Sequence, residues 1–297
     1  MCDECTLGRT VSTCPTCRAL TGQAGAFPFS RDSWSFSAIW DFCFEAFKRE
    51  WVMLSVAVLV MVGVSMVMSA VSQAVTGGAA YGGSASLSIA RFAMSALSQA
   101  IQGVLSMGLL AMVFDVLKGG RADFSRLGSQ LSKTGKYLVQ LLLLGVVFGV
   151  PIVLFFGGLA AAAIAASGVG FSAQSLSNVE GLLEHKQAIG ILVIGVCLAF
   201  IPLIYFTLPL TFATMELVHD DDVGPWQAVA NAFTIAKDNR LAMIGFGFVE
   251  GALVLAGLFA CCVGMLPAAA LAQMLMACLY LALRNGSGLS SPKGANP

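Results

Sequence analysis

The chain is predicted to be an all-α polytopic membrane protein, with six transmembrane helices, three interfacial amphipathic helices and a small N-terminal zinc knuckle module. Three observations lead there. Of 297 residues, 58% are hydrophobic and only 11% are charged, whereas a soluble domain carries about 25% charged residues. Apolar stretches of about twenty residues recur along the chain, each enough at ~1.5 Å per residue to cross a hydrocarbon core about 30 Å thick. Four of the nine cysteines crowd into the first 17 residues as two CxxC pairs. A single soluble globule is therefore excluded. With a formal net charge of zero, no overall electrostatic argument points to a nucleic-acid partner.

Cys2, Cys5, Cys14 and Cys17 define the first 17 residues as a zinc-ribbon-like module. Two thiolates at i and i+3 on a tight turn can face one ion, and two such knuckles complete the closed four-thiolate shell of structural zinc. The gap of eight residues between the pairs leaves little room for a hydrophobic core, so the metal is expected to supply most of the folding free energy. A shell of four thiolates leaves no position for water, which argues against a catalytic zinc. The alternatives are a pair of disulfides or unrelated free thiols. Residues 18–33, rich in Gly, Ala, Ser and Thr with one proline, Pro28, read as a linker. The chain opens on the knuckles and not on a basic, then apolar, leader, so the first membrane helix is expected to act as the targeting signal.

The membrane domain is expected over residues 34–284, followed by a disordered tail at 285–297. Its spans are predicted at 52–74, 88–114, 138–166, 188–216, 241–261 and 266–284. Pro151, Pro202 and Pro209 should kink the third and fourth spans or let them tilt. The last two form a hairpin broken by Val263-Gly264-Met265-Leu266-Pro267. Assigning Lys and Arg alternately to the two sides places 14 on the side of both termini and 2, Arg91 and Lys186, on the other. Both termini are then expected in the cytoplasm, a reducing compartment that favours zinc over disulfides at the knuckles.

Ahead of spans one, three and five lies a segment with apolar residues at offsets 0, 3 and 7: Phe36, Ile39 and Cys43; Phe124, Leu127 and Leu131; Trp226, Val229 and Phe233. Each carries or precedes basic residues, Lys48 and Arg49, Lys133 and Lys136, Lys237 and Arg240. An apolar face with a basic border is the pattern of a helix lying in the membrane interface. The expectation is three units of interfacial helix plus membrane hairpin.

Trp226-Gln227-Ala228 after an acidic stretch, Lys237-Asp238-Asn239 entering span five, Gly257 followed by Cys261-Cys262-Val263-Gly264 and Pro267, and Tyr280 near the end of span six carry a resemblance. Over residues 34–284 the layout resembles a family of bacterial six-helix inner-membrane proteins, including the membrane domain fused to some glycerophosphodiester phosphodiesterases. The resemblance implies a fold and a bacterial inner-membrane location. The phosphodiesterase catalytic domain is missing, so hydrolysis is not implied. The knuckles resemble zinc ribbons placed before such bundles.

Polar residues inside the spans are the remaining candidates. Glu250 lies near the middle of span five; a charge there costs about 2.5 to 3.5 kcal/mol on insertion scales, so it should face protein or water. It marks either a transport site or a bond to an adjacent helix beside Gly247 and Gly251. Arg91, Ser95, Ser98, Gln102 and Ser106 form one stripe on span two, with Gln99 beside it and Asp115 at its end. That stripe lines a polar path or packs by interhelical hydrogen bonds. His219-Asp220-Asp221-Asp222 is a weak cation candidate, Glu216 a cap or ion-pair partner, and His185 an exposed residue of an outer connection. Cys43, Cys197 and Cys278 read as packing residues, and Cys261-Cys262 as packed thiols or a vicinal disulfide.

No GxSxG, GxxxxGK[ST] or HExxH motif occurs. The leading functional expectation is a non-enzymatic membrane scaffold or accessory subunit whose zinc module docks a cytoplasmic or membrane protein. A transporter or channel using Glu250 and the span-two stripe, and a zinc or redox sensor, are the alternatives. The GxxxG pairs Gly145 with Gly149 and Gly247 with Gly251 leave room for a homo-oligomer in the lipid bilayer.

Overall fold

The computed structural model describes residues 27–77, 85–167, 186–260 and 264–289. Among them every regular element is helical: α1 (Phe36–Gly77), α2 (Ala85–Leu117), α3 (Ser125–Ser129), a 3-10 turn (Gln130–Lys133), α4 (Thr134–Leu144), a π-helical turn (Gly145–Gly149), α5 (Val150–Ser167), α6 (Lys186–His219), α7 (Pro225–Ala236), α8 (Arg240–Phe259) and α9 (Met265–Arg284). Among the described residues five stretches are long and apolar enough to cross a membrane: Phe36–Ala74, Ala93–Leu117, Ser125–Ala162, Arg240–Phe259 and Met265–Arg284. Leu203–His219, within α6, is a shorter apolar helical stretch. The chain is a multi-pass α-helical membrane protein.

The chain divides into two compact units, Met1–Leu138 with Leu210–Pro297, and Val139–Pro209. In the first, α9 is the central helix. It packs on α1, α2, α7 and α8, and from Ala270 to Arg284 every residue except Gln273 is buried. A helix apolar on all sides is one that is covered on all sides, and the alanines at 270, 272, 277 and 282 let neighbouring backbones come close. At the α8–α9 hairpin, a Cβ added to Gly257 would stand 2.8 Å from the Ala268 Cβ and 2.9 Å from the Met265 Cα. That position tolerates only glycine. Outward faces, such as Leu59, Met66 and Val67 of α1 or Leu241, Phe248 and Phe259 of α8, are large, apolar and exposed, as a lipid-facing surface requires.

The interfacial helices differ from expectation. The first is not a separate element: Phe36 begins α1, which runs unbroken for 42 residues. Residues 44–51, Phe-Glu-Ala-Phe-Lys-Arg-Glu-Trp, contain no glycine, proline or turn former to stop it. Ile39 and Cys43 point into the protein and are fully buried, and the structure joins the sulfurs of Cys43 and Cys278. The second, at Ser125 to Lys133, leads directly into α4, with Leu131 exposed. The third, α7, is a true separate helix. Pro225 opens it, a first-turn position where the missing N–H costs nothing. Asp238, at φ 66°, turns the chain away after it. Its buried face is Ala228, Val229, Ala232, Ile235 and Ala236, while Trp226 is 62% exposed. The stripe read from large residues alone missed the alanines that make close packing possible.

Just before Pro151 the helix widens into the π turn Gly145–Gly149, a local answer to the hydrogen bond that proline removes. Among the described residues, the glycine pairs Gly145/Gly149 and Gly247/Gly251 have nothing within 4 Å of a built Cβ and so make no close helix contact. Close approaches in the first unit lie at other glycines. The Tyr137 ring lies on Gly103, and a Cβ on Gly108 would stand 2.6 Å from the backbone of Leu127. In the second unit, α5 and the first part of α6 enclose an apolar groove of about 380 Å³ bordered by Phe148, Pro151, Phe155 and Phe206.

Part of the predicted linker is docked. Phe27, Phe29 and Phe42 form an edge-to-face aromatic trio with centroids 5.6 Å apart. The Arg31 N–H donates to the Asn285 carbonyl at 2.7 Å, and Asn285 Nδ2 returns a bond to the Phe29 carbonyl at 3.1 Å. The Arg31 guanidinium donates to the Lys237 carbonyl and lies 3.6 Å from the Asp238 carboxylate. Residues 27–33 are therefore a strap across the ends of α7 and α9.

Candidate functional site

Two polar sites flank α9. The first centres on Glu216, on the last turn of α6, which is fully buried. Its carboxylate accepts hydrogen bonds from the Tyr280 hydroxyl, from Arg284 Nε at 2.8 Å and Nη2 at 3.1 Å, and from Asn231 Nδ2 at 3.0 Å. Arg284 also reaches Asp220 Oδ2 at 3.5 Å. Four donors on two oxygens satisfy a buried carboxylate, and the two-pronged arginine contact is the strong form of that pair. Phe114, Phe212 and His219 pack around the Tyr280 ring at centroid distances of 5.7, 5.6 and 5.9 Å. The cluster is closed, with no carboxylate oxygen left for a substrate.

This arrangement answers the cation reading of residues 219–222. Asp220 faces Arg284, Asp221 pairs with Lys133, and His219 lies edge-on to Phe114 and Tyr280. Among the described residues no group of three or more His, Cys, Asp or Glu side chains is placed to hold a metal ion. Cys2, Cys5, Cys14 and Cys17 lie outside the described residues, as do His185, Cys261 and Cys262.

Three of the basic residues expected at lipid head groups, Arg49, Lys133 and Lys136, instead donate to backbone carbonyls at or just beyond helix ends. The C-terminal carbonyls of a helix have no partner within it and attract cations. Lys133 Nζ donates to the carbonyls of Leu217 and Val218 at 3.0 Å each, and Lys136 Nζ to those of Asp221 at 2.5 Å and Val223 at 3.3 Å. Arg49 donates to the carbonyls of Val116 and Gly120 at 3.3 Å, where α2 ends. Arg126 pairs with Asp115 at 2.7 Å. Burial holds the Lys118 ammonium below its ordinary range, Asp115 pulls it back up, and Arg284 and Arg126 add to the lowering. Hydrogen bonds from the Ser125 hydroxyl and N–H hold the exposed Asp123 carboxyl below its ordinary range.

The second site is a cavity of about 320 Å³. Ser106 and Leu110 of α2, Tyr137 of α4, Thr211, Thr214 and Met215 of α6, Glu250 of α8, and Gln273 and Met276 of α9 line it. Glu250 is half-buried on its wall. Among the described residues no basic side chain lies on the wall. Gln273 Oε1 is buried without a hydrogen-bond partner, a vacancy worth about 1 to 3 kcal/mol if nothing fills it.

The span-two stripe separates into parts. Ser106 reaches this cavity, while Gln102 Nε2 bonds Ser98 within its own helix at 3.2 Å and Gln99 is exposed. The side chain of Arg91 lies outside the described residues. Sequence reasoning found Glu250, Ser106 and Asp115 but not Tyr137, Thr214, Gln273, Asn231 or the Tyr280–Arg284 pair. A signal existed for the last helix, since Gln273, Tyr280 and Arg284 are spaced seven and four apart on one face.

Comparison with protein-family models, with curated proteins and with solved structures finds no match.

Proposed function

We propose that the chain is a non-enzymatic membrane scaffold or accessory subunit: a six-crossing bundle with both termini in the cytoplasm, whose zinc module at Cys2, Cys5, Cys14 and Cys17 docks a protein partner. One observation carries this reading. The strap formed by Phe27, Phe29 and Arg31 is bonded to Asn285 at the end of α9 and to Lys237 and Asp238 after α7, so from Phe27 onward the chain is held against the helix ends. A module meant to present a surface gains affinity when its position is fixed in advance. The closed Glu216 cluster beneath it agrees with a bundle whose helices are locked together. The six-span layout is also that of the inner-membrane family which the sequence resembles.

The test is purification from membranes in mild detergent of wild type, Cys14→Ser and Arg31→Ala, with zinc content and bound proteins measured for each. One zinc per chain and a stoichiometric partner, both lost in Cys14→Ser, are expected. Arg31→Ala should keep the zinc and weaken the partner. Zinc-free wild type, or a partner retained in full by Cys14→Ser, would overturn the reading.

A second reading, passage of a solute by Glu250, draws on the cavity at that side chain. The span-two stripe does not extend it, because Gln102 is engaged within α2 and Gln99 faces outward.

A further inference from the structure

The cavity at Glu250 has a chemistry of its own. Among its described lining residues are the Glu250 carboxyl, the Gln273 amide and the hydroxyls of Ser106, Tyr137 and Thr214, the last two kinds able to donate as well as accept. Among the described residues no lysine, arginine or histidine lines it, so an anionic ligand would meet a carboxyl and no counter-charge there. A single carboxyl balances a single positive charge. A metal ion is poorly served, because no three strong ligating groups converge anywhere among the described residues. At about 320 Å³ the space falls in the range of roughly 300 to 1,000 Å³ that small organic ligands occupy. Met215, Met276 and Leu110 supply adaptable apolar contacts for a short carbon chain.

We propose that this cavity binds a small organic cation, its ammonium group held by Glu250 beside the Gln273 amide and its carbon chain lying against Met276 and Leu110. An ammonium offers three N–H donors, which the Glu250 carboxyl and the hydroxyl oxygens of the wall can accept, and inside a membrane a charge must find its counter-charge in protein. The site serves equally a free amine or the ammonium headgroup of an aminophospholipid. It stands whether or not the chain docks a protein partner, and none of its residues belongs to the strap or to the cysteine module.

The experiment uses the full chain in nanodiscs of phosphatidylglycerol, a lipid without an ammonium group. Binding of n-butylammonium is titrated by calorimetry, with n-butanol as the neutral counterpart. Saturable binding at one per chain, with n-butanol at least tenfold weaker, is expected. Glu250→Gln and Gln273→Leu should each weaken n-butylammonium at least tenfold, while Leu255→Ala, on the exposed face of α8, should not. Adding phosphatidylethanolamine to the nanodiscs separates the sources: displacement of n-butylammonium identifies the headgroup as an occupant, and unchanged affinity identifies the free amine. No saturable binding to wild type, or equal binding of n-butanol, overturns the proposal without reference to any variant. Full binding by a well-folded Glu250→Gln overturns it too.

Discussion

Arg284, the last residue of α9, grips Glu216 at the end of α6 with both Nε, at 2.8 Å, and Nη2, at 3.1 Å. The two are 68 positions apart and both are buried. Removing one partner of a buried pair leaves an uncompensated charge, a loss of about 3 to 5 kcal/mol, whereas removing both together is far milder. Arg284→Met is therefore expected to lower the apparent melting temperature in detergent sharply. Arg284→Met combined with Glu216→Gln should regain much of that loss, as read by fluorescence-detected size exclusion after heating. Equal stability of the single variant and wild type would deny the pair its structural role.

Tyr280 gives Glu216 its third donor. A hydrogen bond to a charged group is worth about 1.5 to 3 kcal/mol, and Phe keeps the ring among Phe114 and Phe212. Tyr280→Phe should destabilise by about that amount and be nearly silent in the Glu216→Gln background, which a double-mutant cycle measures directly.

Glycines sort by what a Cβ would meet. Gly108→Ala would drive a methyl to 2.6 Å from the Leu127 backbone, overpacking of the kind that costs about 1 to 3 kcal/mol. Gly247→Ala and Gly251→Ala have open space and should be neutral or slightly stabilising in a helix. Comparable melting of all three would contradict the α2–α3 contact.

Lys133 closes the end of α6 through the carbonyls of Leu217 and Val218. Lys133→Met should leave membrane insertion intact yet raise amide hydrogen exchange at residues 218–223, where the capped end would fray first. Lys48→Met, whose ammonium sits over the Phe44 ring at 4.5 Å, should leave that segment unchanged.

Much of the helical layout was legible because its signals are local. Proline at Pro151 and the glycine-proline break before α9 act within a turn of where they stand, and the π turn and the hairpin follow there. The first interfacial helix was misread for the opposite reason: an amphipathic stretch announces a face, and only the absence of a stop signal tells that it continues into a membrane helix. In α7 the large residues Trp226 and Phe233 drew attention, while the buried seam ran through Ala228, Ala232 and Ala236, since contact distance between helices depends on small residues as much as on apolar ones.

By itself the sequence determined what solvent each segment needs: apolar runs of membrane length, polar breaks between them, and an uneven division of lysine and arginine. Tertiary structure alone decided the partners. Glu216 reads as one acid at a span boundary, and the face shared by Gln273, Tyr280 and Arg284 does not say which acid it will meet. The rotation and depth of α9 bring Arg284, Tyr280 and Glu216 together. The same packing leaves Glu250 and Gln273 on the wall of one cavity. Hydropathy is a property of each residue, whereas a counter-charge or a cavity belongs to helices from distant parts of the chain and exists only once they pack.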